Sequence, residues 1–346
     1  MKNRDYWRKR FTYLENKMNS YSMDVYRNLE ETFYRVQREI EYEIEYWYSR
    51  IAVNNKVSII DAKKLLTNKE LIEFKWSVEE FIKYGKKNSI NNKWIKELEN
   101  ASARHHISKL DALKISVQQL IEKVFGNELD EVDSLMRRIY CENYYNTLFE
   151  VQKGFKVAWS FSKIDENKLD KIIKNPWAVD GKDFSSRIWT LKDKMVKELH
   201  NELVRTCIMG EAPDEAISNM TKFVDKKFKN AKVHAGKLVM TEQAYFSSLA
   251  QKDVFDFLDV EEYEIVATLD SHTSKICQEL DGKHFQMKDF EAGVTAPPFH
   301  VWCRSTTVPY FDDDYEIERA ARGFDGKTYY IPGDMNYSEW YKKYVL

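Results

Sequence analysis

The sequence predicts a mostly α fold, with long N-terminal helices forming a bundle or stalk ahead of a small α+β domain. Three observations carry this expectation. Apolar residues recur every three or four positions from Phe11 to Ile51, the spacing of a single amphipathic helix face. No proline occurs before Pro176, so the strongest helix breaker is missing from the first half. Between Asp270 and Pro309 the chain gathers two of its four cysteines, three of its seven histidines and three of its six prolines, which places chemistry and backbone punctuation together in the second half.

At 346 residues the chain is long enough for two domains, each with its own core. Apolar residues make up 43%, charged residues 32% and aromatic residues 14%, a composition that folds and excludes disorder. The formal net charge of -2 removes any whole-chain argument for nucleic-acid binding. No stretch approaches the ~18 consecutive apolar residues of a bilayer span, so no membrane partner is expected. The basic start MKNRDYWRKRFTY has no apolar run behind it, against a secretory signal. Four sparse cysteines argue for a reducing compartment over a disulfide framework.

Taken in order, Leu14, Met18, Tyr21, Val25, Leu29, Phe33, Val36, Ile40, Ile44, Trp47 and Ile51 line one face of the first helix. At about 1.5 Å per residue it reaches on the order of 60 Å, so its partner stripe must come from another long helix or another chain. The Glu and Arg residues of VQREIEYEIEYW form its solvated face. Ser58 and Asn68 suit helix starts and Gly85 a stop. A further helical run is expected to end at Gly126 and to carry His105 and His106. We read these two as an ordinary surface pair and not as a phosphate or metal contact, because adjacent helical residues do not face one another. A third run extends from about Glu128, past Cys141 as a buried small hydrophobe, to Gly154.

Pro176 and Gly181 then mark a loop, and a domain boundary is expected near Asn175. Ser185 or Ser186 suits the cap of the next helix. Pro213 suits the first turn of a short helix, and another helix follows through KLVMTEQAYFSSLAQKDVFDFL. The resulting division is 1–175 as a helical region, 176–310 as the motif domain and 311–346 as a tail. That tail ends in MNYSEWYKKYVL, which as physics is a short exposed amphipathic segment suited to docking.

After Asp259 the period changes. EEYEIVATLD alternates Tyr263, Ile265 and Ala267 with Glu264, Val266 and Thr268, a half-buried strand. CQELDGKHF reads as a Cys-bearing helical turn, an Asp281-Gly282 turn and a short strand to Phe285. A loop with Pro297-Pro298 leads into His300-x-x-Cys303 and a final strand through Ser305, Thr307 and Pro309. Cys277 with His300 and Cys303 supplies three metal ligands, with Asp270 or His272 as the fourth. A closed zinc site of this kind would replace core that so small a unit lacks. Buried thiols and a loop-bonding histidine explain the same residues.

The blocks SSRIW, MTEQAY, ATLDSHTSKICQELDGKHF and PPFHVWCRSTTVPYF together resemble the phage Mu F-like head morphogenesis domain, over about Trp177 to Tyr310. Asp270, Thr273, Cys277, the Asp281-Gly282-Lys283 turn, Pro297-Pro298, His300, Cys303 and Arg304 fall where that family's pattern expects them, and the block from Phe184 to Trp189 supports it. His272 departs from it, since the family more often has arginine there. The resemblance implies a minor head protein of a tailed bacteriophage. Such a protein is a virion component of the head interior, present in few copies near the portal, and acts in procapsid assembly, DNA packaging or genome delivery. Its implied partners are the portal protein and capsid or scaffolding protein, met in the host cytoplasm during assembly.

An enzyme is the alternative: a metal- or Cys-dependent, toxin- or transferase-like activity carried in the virion. A zinc nucleobase deaminase is excluded, because one Cys follows the prolines and H-x-E is missing. Cys303 and His300 could form a nucleophilic pair, but no oxyanion hole is identifiable. Mu F-like domains are sometimes found alongside ADP-ribosyltransferase or toxin domains; Thr241, Glu242 and Arg304 could serve such a site, yet no spare region is left to hold one. We read Glu242 and Arg304 as a buried charge pair. Lys222, Lys226, Lys227, Lys229 and Lys232 could contact packaged DNA through phosphates without reading sequence, although a solvated helix face explains them equally.

Overall fold

The structure, a computed structural model, describes residues 4–54, 56–87, 92–156, 160–161, 163–311, 318–322, 327–332, 335 and 337–344. The first expectation is met by α1 (Arg4–Ile51), one unbroken helix of 48 residues that starts ahead of Phe11. Ser58 caps the single turn α2 (Ile59–Ala62), its Oγ accepting the Asp61 N–H at 3.2 Å. In α3 (Asn68–Lys87) the start is fixed by a capping box. Thr67 Oγ1 accepts the Glu70 N–H at 3.3 Å and Glu70 Oε2 accepts the Thr67 N–H at 2.8 Å. Gly85 does not stop this helix; it is buried inside it.

The next two runs differ from expectation in where they break. Helix α4 (Asn92–Ala103) ends early, and α5 (Lys109–Phe155) then runs through both Gly126 and Gly154. His105 and His106 lie in the connection between them, exposed and outside any helix. The overlooked signal is Ser108, whose Oγ accepts the Asp111 N–H at 3.1 Å and starts α5. A glycine inside a helix costs about 1 kcal/mol, less than burying neighbours such as Val124 and Phe125 returns. After α6 (Glu166–Ile173), α7 (Phe184–Met209) is capped by Asp183, which accepts the Ser186 N–H at 2.7 Å. Ser185 and Ser186 therefore sit in its first turn. The two helices expected after Gly210 are one, α8 (Pro213–Phe257), with proline in its first turn.

Contacts divide the chain into two units, neither contiguous in sequence. One comprises residues 1–26, 133–181 and 236–346, the other 27–132 and 182–235. Helices α1, α5 and α8 each give one stretch to each unit, and the boundary expected near Asn175 falls within the 133–181 stretch. The second unit is all helical. Phe33 is its aromatic centre, in edge contact with Phe125 at 5.5 Å and with Phe228 at 6.1 Å. A buried Lys192–Glu122 pair at 2.7 Å and a bond between His200 Nε2 and the Lys114 carbonyl at 3.1 Å tie α7 to α5.

The first unit sets helices against a three-stranded antiparallel sheet of order β2-β1-β3, with β1 (Glu262–Val266) in the middle. Tyr263 pairs with Phe285 on β2 (His284–Gln286) and with Pro309 on β3 (Thr306–Tyr310). Trp7 and Phe11 of α1, Val151 of α5 and Phe255 of α8 pack on Tyr263, Ile265 and Val308. At Gly154 an added Cβ would lie 2.1 Å from the Trp7 ring, so only glycine lets that indole seat there.

Strand β1 is not half-buried as its alternation suggested. Glu264 is fully buried because Arg4 and Arg8, one turn apart on α1, both reach it: Arg4 with a fork at 2.9 and 2.7 Å, and Arg8 through Nε at 3.2 Å and its terminal nitrogen. Burial alone would raise this carboxyl, but the Arg4 hydrogen bonds and the Arg8 charge hold it below the usual range. The C-terminal segment is also not a free docking tail. Strands β4 (Glu318–Arg322) and β5 (Thr328–Pro332) form a hairpin, and Trp340 of α10 (Tyr337–Tyr344) is buried against Leu269, Ala321 and Ile331. Its indole N–H donates to the Tyr329 hydroxyl at 2.6 Å.

Candidate metal centre

The motif block is assembled from short hydrogen-bonded turns that follow β1. Asp281 is buried and accepts the Ala267 N–H at 3.0 Å, while Gly282 takes the left-handed φ of 79° that the turn into β2 requires. Thr273 Oγ1 donates towards the carbonyls of Thr268 at 2.6 Å and Asp270 at 2.9 Å, and accepts the Asp270 N–H at 3.1 Å. Ser274 then caps α9 (Lys275–Leu280), accepting the Cys277 N–H at 3.3 Å. Cys277 thus leaves the first turn of a short helix with its thiol directed inward and buried.

The second arm enters through buried Pro297 and Pro298, joined by a cis peptide. Between His300 and Cys303 the chain turns at Trp302, whose φ of 67° is unusual for a non-glycine residue. Thr241 on α8 supports that turn: its Oγ1 accepts the Trp302 N–H at 3.1 Å and donates to the Lys237 carbonyl at 2.6 Å. This is a role for Thr241 that its position in MTEQAY did not reveal. Glu242 beside it is not paired with Arg304 as expected. It accepts the Trp177 indole N–H at 2.9 Å, while both Asp270 oxygens engage Arg304, at 2.7 and 2.9 Å. That fork, together with the His272 N–H at 2.8 Å, holds the Asp270 carboxyl below its usual range despite partial burial.

The result brings Cys277, His300 and Cys303 together, with one ligand atom from each lying within 4.8 Å of the others. The Cys277 and Cys303 sulfurs are 3.9 Å apart, and His300 Nε2 is 3.2 Å from the Cys277 sulfur. With zinc–sulfur bonds of about 2.3 Å, two thiolates of a tetrahedral site stand about 3.8 Å apart, so the cluster has the size a zinc ion needs. His300 Nδ1 lies 2.8 Å from the Val301 carbonyl. A carbonyl only accepts, so Nδ1 carries the proton and Nε2 presents its lone pair to the sulfurs, the ring arrangement of a metal-ligating histidine.

The two thiols are unequal. The hydrogen bond from Cys277, aided by the backbone N–H groups of Ser305 and Phe299, pulls the Cys303 thiol down to about 7. Its partner Cys277 is pushed up, first by that shared proton and then by burial. Cys303 therefore holds thiolate character ready for a cation. The chain has a three-residue cluster that can hold a metal ion. Asp270 and His272 are not within it: Asp270 is committed to Arg304, and the His272 ring is exposed beside Ser271 Oγ at 3.3 Å.

Of the lysines singled out for DNA, Lys222, Lys226 and Lys229 are exposed on α8. Lys227 pairs with Glu198 at 2.6 Å, and Lys232 lies 6.0 Å from the Tyr34 ring.

A small antiparallel sheet flanked by helices, with a Cys/His/Cys cluster where α9 meets the loop before β3, gives this part of the chain an α+β architecture. Residues 197–308 match the family model described as Phage Mu protein F like protein, inside the stretch where the resemblance was expected. About a third of the chain is therefore similar to the phage Mu protein F like family. The chain is also 22% identical over 219 residues to the NAD(+)--arginine ADP-ribosyltransferase EFV of Enterococcus faecalis, a match covering 58% of this chain and 42% of that protein. It therefore spans less than half the length of that relative. No solved structure matches the chain. Among the described residues no helix is long and apolar enough to cross a membrane.

Proposed function

We propose that the protein is a minor head protein of a tailed bacteriophage, docking on the portal, with capsid or scaffolding protein as further partners, during procapsid assembly, DNA packaging or genome delivery. The observation that carries this reading is the Mu F-like match over residues 197–308. In it, zinc on Cys277, His300 and Cys303 ties α9 to the loop before β3. The fit of the sulfur spacing and the histidine tautomer supports the metal, which when bound would add a cross-link between α9 and the loop before β3. The location that follows is the virion, in the head interior near the portal. Co-expression with the portal protein of the same phage tests the docking: a co-purifying complex is expected, and two separately eluting proteins would refute it.

The relative's name raises a transferase activity as the second reading. We favour a non-catalytic role, because Glu242 and Arg304 are each taken up by structural partners, Trp177 and Asp270. Incubation of the purified chain with labelled NAD+ and an arginine-bearing acceptor is expected to transfer no label; stoichiometric or greater transfer would favour the enzyme.

A further inference from the structure

The metal cluster offers three protein ligands, and four-coordinate zinc takes a fourth. Where that fourth donor comes from decides whether the centre is a sealed clip or an open one. The two side chains expected from the sequence as the fourth ligand, Asp270 and His272, are both ill-placed to supply it. Asp270 has each oxygen in the Arg304 fork, at 2.7 and 2.9 Å, with the His272 N–H also bonded to Oδ1 at 2.8 Å. Moving it onto a metal would strip the guanidinium of its partner. His272 sits on the exposed side with its Nδ1 near Ser271 Oγ, and it is not among the ligand atoms that converge. Among the described residues no other His, Cys, Asp or Glu joins the cluster.

A small groove does adjoin it. Thr268, His272, Thr273, Ser274, Trp302 and Arg304 line a cavity of about 20 Å³ that also touches Cys277 and His300. A cavity of roughly 10–15 Å³ admits one water, so the groove has room for a single solvent-sized ligand against two of the three ligands. Arg304 on that side is already neutralised by the Asp270 fork, so the groove suits a neutral water as well as a small anion.

We propose that the metal centre is of the open type: Cys277, His300 and Cys303 bind the ion, and the fourth position faces the groove and takes an exchangeable ligand from outside the chain, a water or a small anion. This inference rests on the metal reading above but goes beyond it, because a sealed four-residue clip would satisfy that reading equally. An open position would leave the ion free to take one exchangeable donor from outside the chain, which a sealed clip would not.

Cobalt(II) in place of zinc makes the coordination visible. The full-length chain loaded with one equivalent of Co2+ is expected to show sulfur-to-metal charge transfer and tetrahedral d–d bands. Azide should then shift the d–d bands saturably, and H272A and D270N should leave the azide-free spectrum unchanged. A spectrum indifferent to azide, or one altered by H272A or D270N, assigns the fourth position to the protein and overturns the proposal while leaving the metal intact. No charge-transfer band with any preparation would overturn both the open site and the metal reading.

Discussion

Single buried residues in this protein set how its stability depends on pH. Glu128 on α5 is 2% exposed, its Oε2 has no hydrogen-bond partner, and burial pushes its carboxyl up to about 8 from an ordinary 4.5. The folded chain therefore holds this proton more tightly than the unfolded one. The stability it contributes is complete below about 4.5, declines as pH rises towards 8, and is then flat. Each tenfold difference in proton affinity between the folded and unfolded chain is worth about 1.4 kcal/mol. Wild-type chain should therefore lose a few kcal/mol across that window, read from urea midpoints, and E128Q should lose much less. Equal slopes would mean that water reaches the carboxyl. Glu264 has the opposite sign: Arg4 and Arg8 depress it, so its contribution is present at neutral pH and lost in acid. Because Glu264 is fully buried and held by both arginines, the double variant R4A/R8A should cost about 3–5 kcal/mol by stranding its charge, and R8A alone less, since the Arg4 fork remains. For the metal, C303S is expected to leave less than about 0.2 equivalents of bound zinc against about one in wild type, with a lower melting temperature, because two ligands seldom retain the ion; undiminished zinc by elemental analysis would remove Cys303 from the site.

At the scale of elements, the helices were legible because a stripe of apolar residues at three- and four-residue steps fixes a helix wherever its breaks fall. The breaks were not. Gly85, Gly126 and Gly154 look like stops, yet each lies inside a helix, and the starts are set by Thr67, Ser108 and Asp183 through side-chain bonds to the first-turn N–H groups. Gly154 has a reason that local sequence cannot express, since it makes room for a tryptophan 147 positions away, Trp7. G154A should therefore destabilise the chain by about 1–3 kcal/mol through overpacking, even though alanine is the better helix former, and a stabilised G154A in thermal melts would mean the indole is free to move. The motif block was legible for the converse reason: Cys277, His300 and Cys303 are chemically distinctive, so their convergence could be read from type and spacing. The support of the Trp302 turn was not legible, because Thr241 acts from the distant helix α8, and neither was the neutralisation of Glu264 by Arg4 and Arg8 of α1. The Arg4/Arg8 spacing of one turn and Glu264 set between Tyr263 and Ile265 were the available signals.

For the whole molecule the consequence concerns where it can be cut. The sequence invites a division at Asn175, with helices for docking on one side and the Mu F-like domain on the other. Yet the core on which β1 packs contains Trp7, Phe11 and Val151, and Glu264 on that strand is neutralised by Arg4 and Arg8. A fragment of residues 177–310 would expose this apolar face and leave a buried carboxylate unpaired, penalties of several kcal/mol each, comparable to the entire stability of a domain of ordinary size. We expect that fragment to show no cooperative thermal transition while the full chain shows one. A sharp melt from the fragment alone would mean that α1 and α5 are accessory to the sheet. Portal and DNA binding are therefore to be compared on full-length variants. Replacing the exposed Lys222, Lys226 and Lys229 with alanine should leave co-purification with portal intact. If α8 touches packaged DNA, the same change should weaken a gel shift seen at about 50 mM salt and flatten its salt dependence by roughly one counterion for each phosphate no longer neutralised. A wild-type chain that gives no shift at that salt would leave these lysines as the solvated face of a helix.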